Sequence, residues 1–132
     1  MTRTIALAIC AVVLAGCNRP AAPEDAGVCW LSRGSGASGF IPLARNIDSL
    51  ENCAVLLEAH RLQAHADADG AYQGYFIFAE GAGISSSTNA QGFRYPILQP
   101  PQRAAIDRDI RKLLAERGGR LPSPGDLMLQ RQ

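Results

Sequence analysis

The apolar positions of the chain change their period several times, and each change predicts a different kind of element. Residues 28–32 and 40–45 are short apolar runs separated by a glycine- and serine-rich stretch, a pattern that predicts two strands joined by a loop. Pro42 lies in the second run and cannot donate a hydrogen bond to a neighbouring strand. We therefore expect that second strand at an edge of the sheet or beside a bulge.

The helical period appears next, over residues 48–65. Four apolar residues there follow the i, i+3, i+4, i+7 spacing of one helix face: Leu50, Cys53, Ala54 and Leu57. Asp48 and Ser49 are suitable N-caps for this helix. The charged residues Glu51, Glu58 and Arg61 are expected to face away from its core side.

Residues 71–80 have large apolar side chains at both odd and even positions, which predicts one central strand covered on both faces. Gly74 interrupts this run and indicates a bulge or a close backbone approach. Residues 81–92 are predicted as a loop, or as a weak strand followed by a loop. Residues 93–98 alternate well but include Pro96, so this strand too is expected at an edge.

A second helix is predicted from Pro101, which suits a first helical turn, to the stop at Gly118 and Gly119. Residues 119–132 hold two prolines and no sustained period, so we expect a frayed tail there. The order of elements predicts an α+β domain over 28–118, with a small antiparallel sheet of three to five strands and two helices packed on it.

The first seventeen residues have a different pattern. Arg3 precedes an apolar run over 5–15, which as a helix reaches roughly 18 Å and falls short of the ~30 Å hydrocarbon core of a bilayer. This arrangement is typical of a secretory signal peptide. The run ends in Leu14-Ala15-Gly16-Cys17, which resembles the lipobox of bacterial lipoprotein precursors at all four positions.

The lipobox resemblance implies that residues 1–16 are removed as a signal peptide and that Cys17 receives a diacylglyceryl group and a further acyl chain such as palmitate. Stable membrane anchoring needs two or more such chains. Asn18 stands where an aspartate would retain the protein at the inner membrane, so the resemblance favours the outer membrane, facing the periplasm, and leaves the inner membrane open. Residues 18–27 contain two prolines and are expected to be a flexible tether.

The cysteine count follows from this leader. Of the four cysteines, Cys10 lies in the segment to be removed and Cys17 carries the lipid, so Cys29 and Cys53 remain. In an exported protein an even remainder predicts a disulfide, and closing a loop of about 25 residues should stabilise the fold by roughly 3 to 3.5 kcal/mol. The two cysteines are too far apart in sequence for a Cys-x-x-Cys redox pair.

Motifs for catalysis or cofactor binding are weak. Residues 83–87 resemble a nucleophile elbow, but Ser87 stands where the second glycine is required. His60 and His65 are five positions apart on the predicted helix and point in different directions, so no metal site is expected. We expect no cofactor and no catalytic residue, and a small hydrolase using Ser86 and His60 is the least favoured alternative. The net charge of +1 gives no support for nucleic-acid binding.

The pattern as a whole favours a non-enzymatic accessory or interaction module of the cell envelope. The aromatic residues Trp30, Phe93 and Tyr95 are the candidate contacts for an envelope protein partner, since they lie in strands that contain or neighbour prolines. The alternative is a periplasmic module that binds or senses a small ligand. Its pocket would lie between Tyr72, Tyr75 and the loop at 85–89.

Overall fold

The computed structural model describes residues 21–34 and 39–129. Six strands lie within these ranges, and they are β1 (Cys29–Ser32), β2 (Phe40–Ala44), β3 (Ala68–Tyr72), β4 (Tyr75–Ala79), β5 (Ile84–Ser87) and β6 (Tyr95–Pro96). The helices are α1 (Leu50–Ala64), α2 (Pro100–Glu116) and α3 (Pro124–Leu129). The strands form one antiparallel sheet in the order β2-β1-β3-β4-β5-β6. The predicted α+β class is confirmed, with one strand more than the predicted range.

The additional strand comes from residues 71–80, which form parts of a hairpin and not a single strand. Tyr72 pairs with Tyr75, so Gln73 and Gly74 make a two-residue loop, and both have positive φ (43° and 84°). Two such residues are the requirement of a type I′ turn, whose twist suits a tight hairpin. The interpretation of Gly74 as a bulge is therefore wrong. The expected position of β4 is confirmed, since Phe76 to Ala79 are buried inside the sheet.

The predicted disulfide between Cys29 and Cys53 is confirmed. It joins β1, in the interior of the sheet, to the buried side of α1, with the two Cα atoms 5.3 Å apart. Both cysteines are fully buried, and the residues around them belong to the main core between sheet and helices. The bridge therefore fixes the helix layer to the middle of the sheet.

A second apolar cluster covers the opposite face of the sheet. It contains the following residues: Ala22, Trp30, Phe40, Ala71, Phe76, Phe78 and Ala90. The segment that precedes β1 contributes to this cluster, and the carbonyl of Pro23 accepts a hydrogen bond from the Gly74 amide at 2.8 Å. The interpretation of 18–27 as a flexible tether is therefore wrong for residues 21–27. The signal peptide, Cys17 and residues 18–20 lie outside the described residues.

The helix α1 begins as predicted, with the Ser49 hydroxyl accepting a hydrogen bond from the Asn52 amide at 3.1 Å. One expectation about its faces is wrong. Glu58 does not face away from the core but is completely buried, because α2 packs over the side of α1 on which it lies. This burial of a carboxylate organises the candidate site described below.

The edges of the sheet agree with the positions of the prolines, since β2 and β6 are its outermost strands. The stretch at 81–92 does contain a strand, β5, in which Ser86 and Ser87 are buried.

The expected frayed tail is wrong for Pro124–Leu129, which forms α3. Leu127 of this helix lies in the core, and Arg117 and Asp126 form an ion pair of 2.7 Å. None of the helices in the described part of the chain is long and apolar enough to cross a bilayer.

Candidate functional site

The most unusual side chain of the core is Glu58, a fully buried carboxylate between α1 and α2. Arg61 donates from Nε and Nη2 to its two oxygens, both at 2.8 Å, and Arg103 of α2 donates from Nε and Nη2 to Oε1 at 3.2 and 3.0 Å. An ionised carboxylate is costly to bury unless it is paired in this way. Burial alone raises the pKa of Glu58, but the hydrogen bonds from Arg61, Asp107 and Arg103 outweigh it and the pKa is lowered.

Asp107 is the second carboxyl of this cluster. Its Oδ2 lies 3.9 Å from Nε of Arg103 and 4.0 Å from Nη2 of Arg61, while its Oδ1 is buried and has no hydrogen-bond partner among the described residues. Desolvation raises the pKa of Asp107 to about 6, together with its interaction with Glu58 and the negative charge of Glu58. Because the pKa of Glu58 is lowered and that of Asp107 is raised, Asp107 is the carboxyl that takes up a proton first.

Arg103 also connects this cluster to the sheet. Its guanidinium donates to the carbonyl oxygens of Glu80 and Gly81, in the turn between β4 and β5. The Glu80 carboxylate in turn accepts from Nη1 of Arg94 at 2.7 Å, and the Arg94 guanidinium lies 3.8 Å from the centre of the Phe78 ring. The first turns of α2, the β4–β5 turn and the segment before β6 are thereby held together.

A cavity of about 730 Å³ lies where these three parts meet. Its charged lining residues come from four different places in the chain, and they are Arg61, Glu80, Arg94, Arg103 and Asp107. The other lining residues include the polar Ser85 and Gln99 and a set of apolar residues, of which we call Ile84, Pro96, Leu98 and Ala104 the apolar wall. A concave site of this size, with an apolar wall and a few converging polar groups, is the usual form of a small-molecule site.

Part of the residue set expected to contact a partner is brought together. Phe93 and Tyr95 are 81% and 61% exposed, and their ring centres are 5.6 Å apart. Trp30 is partly buried in the second apolar cluster, on the other face of the sheet from the main core. It belongs to β1, which is four strand spacings, or about 19 Å, from β6. The structure therefore places Phe93 and Tyr95 on one surface and Trp30 on another, and the partner contact itself stays a prediction.

The residues expected to form a ligand pocket are mostly elsewhere. Tyr72 is buried, and its hydroxyl donates to the carbonyl of Ile47 at 2.7 Å. Of the loop expected at 85–89, only Ser85 lines the cavity described above. Ser86 is buried on β5, and within the described part of the chain no hydrogen bond joins it to His60.

The four residues of the buried charge cluster were not among the sequence-based candidates. A signal was present, since Glu58 interrupts the otherwise apolar run of 53–59 and Arg61 follows it at i+3. The partners on α2 could not be found in this way, because Arg103 is 45 positions from Glu58 in sequence. Residues 21–34 and 39–129 contain no group of three or more histidine, cysteine or acidic side chains placed to hold a metal ion.

Comparison with known proteins identifies no relative: no protein-family model, no curated protein and no solved structure matches the chain. The function is therefore argued from the residues and the geometry alone. Two surfaces are available for that argument, the exposed aromatic pair at β6 and the arginine-lined cavity beside it.

Proposed function

We propose that this protein is a lipid-anchored accessory protein of the cell envelope that binds a protein partner through Phe93 and Tyr95. The acylated Cys17 holds it in the membrane, and the outer membrane, facing the periplasm, is the proposed location. The lipobox residues support the anchor, and a structural disulfide suits the oxidising periplasm. The observation that carries the binding role is the exposed aromatic pair.

Exposed aromatic rings side by side are costly to leave in water and effective when covered. Each such ring buries about 150 to 250 Å² in an interface, and aromatic residues are frequent among the few that dominate binding energy. Phe93 and Tyr95 are two of the three large hydrophobic residues exposed in the described part of the chain. Their contact therefore offers a partner one continuous apolar surface.

The segment that carries the pair is held in place before any partner arrives. Arg94, between the two aromatic residues, stacks on Phe78 and pairs with Glu80. The backbone after it joins β5, where Tyr95 pairs with Ser86. Because the segment is already ordered, binding loses little conformational entropy, which favours affinity.

Site-specific crosslinking in intact envelopes tests the partner surface. A photoreactive amino acid at position 93 or 95 should give one discrete adduct at native abundance. Tyr75 is the matched control, since it is also aromatic and 47% exposed but belongs to β4, which is separated from β6 by β5. Recovery of monomer only from positions 93 and 95, or identical adducts from position 75, contradicts the proposed surface.

The anchor is tested separately, by labelling cells with a fatty-acid analogue. The wild-type chain should take up the label, and the Cys17→Ala variant should not. Equal labelling of both proteins would show that Cys17 is not the site of acylation, without bearing on the aromatic surface.

A further inference from the structure

The cavity beside the aromatic pair has hydrogen-bond donors that the protein leaves unused. Nη1 of Arg61 and Nη2 of Arg94 donate to no acceptor in the described ranges, although both side chains line the cavity. The Arg103 guanidinium, by contrast, is occupied by Glu58 and by two carbonyls of the β4–β5 turn. Two guanidinium groups from different elements therefore offer N–H donors to one cavity.

The helix terminus at this cavity does not account for its polarity. Pro100 and Pro101 have no N–H, and the side chains of Gln99 and Gln102 cap the first turn of α2 reciprocally. The usual donors of a helix N-terminus are thus absent or already satisfied. Recognition of an anion would rest mainly on side chains, those of the arginines above all.

The apolar part of the cavity lining suits a carbon skeleton. The apolar wall presents aliphatic side chains from β5, from the β6 region and from the first turns of α2. The volume of about 730 Å³ is enough for a molecule of modest size. Guanidinium groups and an apolar wall in one cavity match a ligand with one acidic end and one hydrocarbon end.

We propose that this cavity binds a small organic acid, with its carboxylate on Arg61 and Arg94 and its carbon skeleton on the apolar wall. The ligand is a free small molecule and not a segment of a protein. Neither Phe93 nor Tyr95 lines the cavity, but Arg94 between them does, so the site adjoins the proposed partner surface without including its aromatic rings.

The protonation of Asp107 should modulate this binding. The charged groups that face it are Glu58 and Arg61 from α1 and Arg103 from its own helix, and Glu80 and Arg94 line the same cavity from the sheet side. Below about pH 6 the carboxyl becomes neutral and the cavity gains one unit of net positive charge. An organic acid that stays ionised should therefore bind more tightly at about pH 5.5 than at about pH 7.5, by roughly five- to tenfold.

The test uses 4-phenylbutyrate and its neutral amide, 4-phenylbutyramide, with the purified full-length protein in isothermal titration calorimetry. The amide has the same carbon skeleton without the charge, so it reports the contribution of the apolar wall. We expect the acid to bind at least roughly tenfold more tightly than the amide. Equal binding of the two, or no saturable binding of the acid up to low millimolar concentration, overturns the proposal.

Two variants on one helix locate the binding. Ala104 and Ala115 are both exposed on α2, and of the two only Ala104 lines this cavity. Ala104→Phe should fill the cavity and abolish binding, while Ala115→Phe, with the same change in volume and helix propensity, should not. Equal binding by both variants would place the acid elsewhere and refute the site.

The Asp107→Asn variant tests the modulation. Its binding should match that of the acidified wild type and should not change between about pH 7.5 and about pH 5.5. A pH dependence equal to that of the wild type would show that Asp107 is not the modulating group. Acid binding retained by a Phe93→Ala, Tyr95→Ala double variant would show that the cavity works whether or not the partner surface does.

Discussion

Replacement of Asp107 by asparagine is expected to stabilise the protein at neutral pH. The native structure raises the pKa of this carboxyl from 3.8 to about 6, because the group is desolvated and faces Glu58. In the unfolded chain the same group ionises near its ordinary pKa. Since the native state holds the proton more tightly, ionisation of Asp107 destabilises the fold as the pH rises from about 4 to about 6, and the cost is constant above that range.

The magnitude follows from the difference between the two pKa values. Each pKa unit corresponds to about 1.4 kcal/mol, which gives an upper limit of about 3 kcal/mol at neutral pH. The Asp107 side chain is 22% exposed, and solvent screening lowers the expected gain of the variant to about 1 to 2 kcal/mol. The attractions of the Asp107 carboxylate to Arg61 and Arg103, at 4.0 and 3.9 Å, lower its pKa. The native pKa of about 6 already includes them.

Urea unfolding at several pH values measures this gain, with the fluorescence of Trp30, the only tryptophan, as the signal. The variant should exceed the wild type above about pH 6.5, and most of the difference should disappear near pH 4, where the native wild type holds the proton and the unfolded chain holds it in part. Asp109→Asn, two positions further along α2, is the control for loss of a charge. A variant less stable than the wild type at neutral pH, or a difference that persists unchanged at about pH 4, would refute the reasoning.

Three further changes test the packing of the core. Glu58→Gln should lower the free energy of unfolding by about 3 to 5 kcal/mol, because two partly buried guanidinium groups lose their counter-charge. A loss below about 1 kcal/mol in urea unfolding contradicts this prediction. Replacement of both disulfide cysteines by alanine should cost about 3.5 kcal/mol for a loop of 24 positions, and an unchanged thermal midpoint would exclude a stabilising bridge. Gly70→Ala should lower the free energy of unfolding by about 2 to 4 kcal/mol. The new Cβ would lie 2.7 and 2.8 Å from two methyl groups of Leu57 and against a backbone oxygen of β1. Gly81→Ala is the control, since its Cβ would have no described neighbour within 4 Å, and it should unfold like the wild type.

The sequence allowed the class of fold and the disulfide to be predicted, because both depend on local patterns. The period of α1 placed Cys53 on a core face, and the count of cysteines outside the expected signal peptide and lipid site left it one partner, Cys29. Pro42 and Pro96 indicated the two edge strands for the simple reason that proline cannot donate to a ladder. Each of these inferences needs only a few neighbouring residues.

The errors arose where tertiary contacts decide. The hairpin at Gln73 and Gly74 was missed because glutamine rarely adopts positive φ, and here its side chain accepts a hydrogen bond from the Gly27 amide at 3.0 Å. The helix α3 was missed because its six residues have no helical period of their own and are held by the burial of Leu127. Glu58 was assigned to the wrong face because helical spacing does not show which side a second helix will cover.

The buried charges of the α1–α2 interface determine how the cavity is shaped. Ile110 and Leu113 of α2 are buried and Ile106 and Leu114 are partly buried against the core, and the bonds of Arg103 add a polar constraint to this apolar packing. The bonds from Arg103 to Glu58 and to the β4–β5 turn favour one position, since a shift would break them and leave the fully buried carboxylate with Arg61 alone among the two arginines. A helix placed by its charges also places Ala104 and Asp107, which line the cavity. The same interaction that makes Glu58 tolerable in the core therefore fixes where Ala104 and Asp107 stand relative to Arg61 and Arg94, and with it the shape of the cavity that the proposed acid would enter.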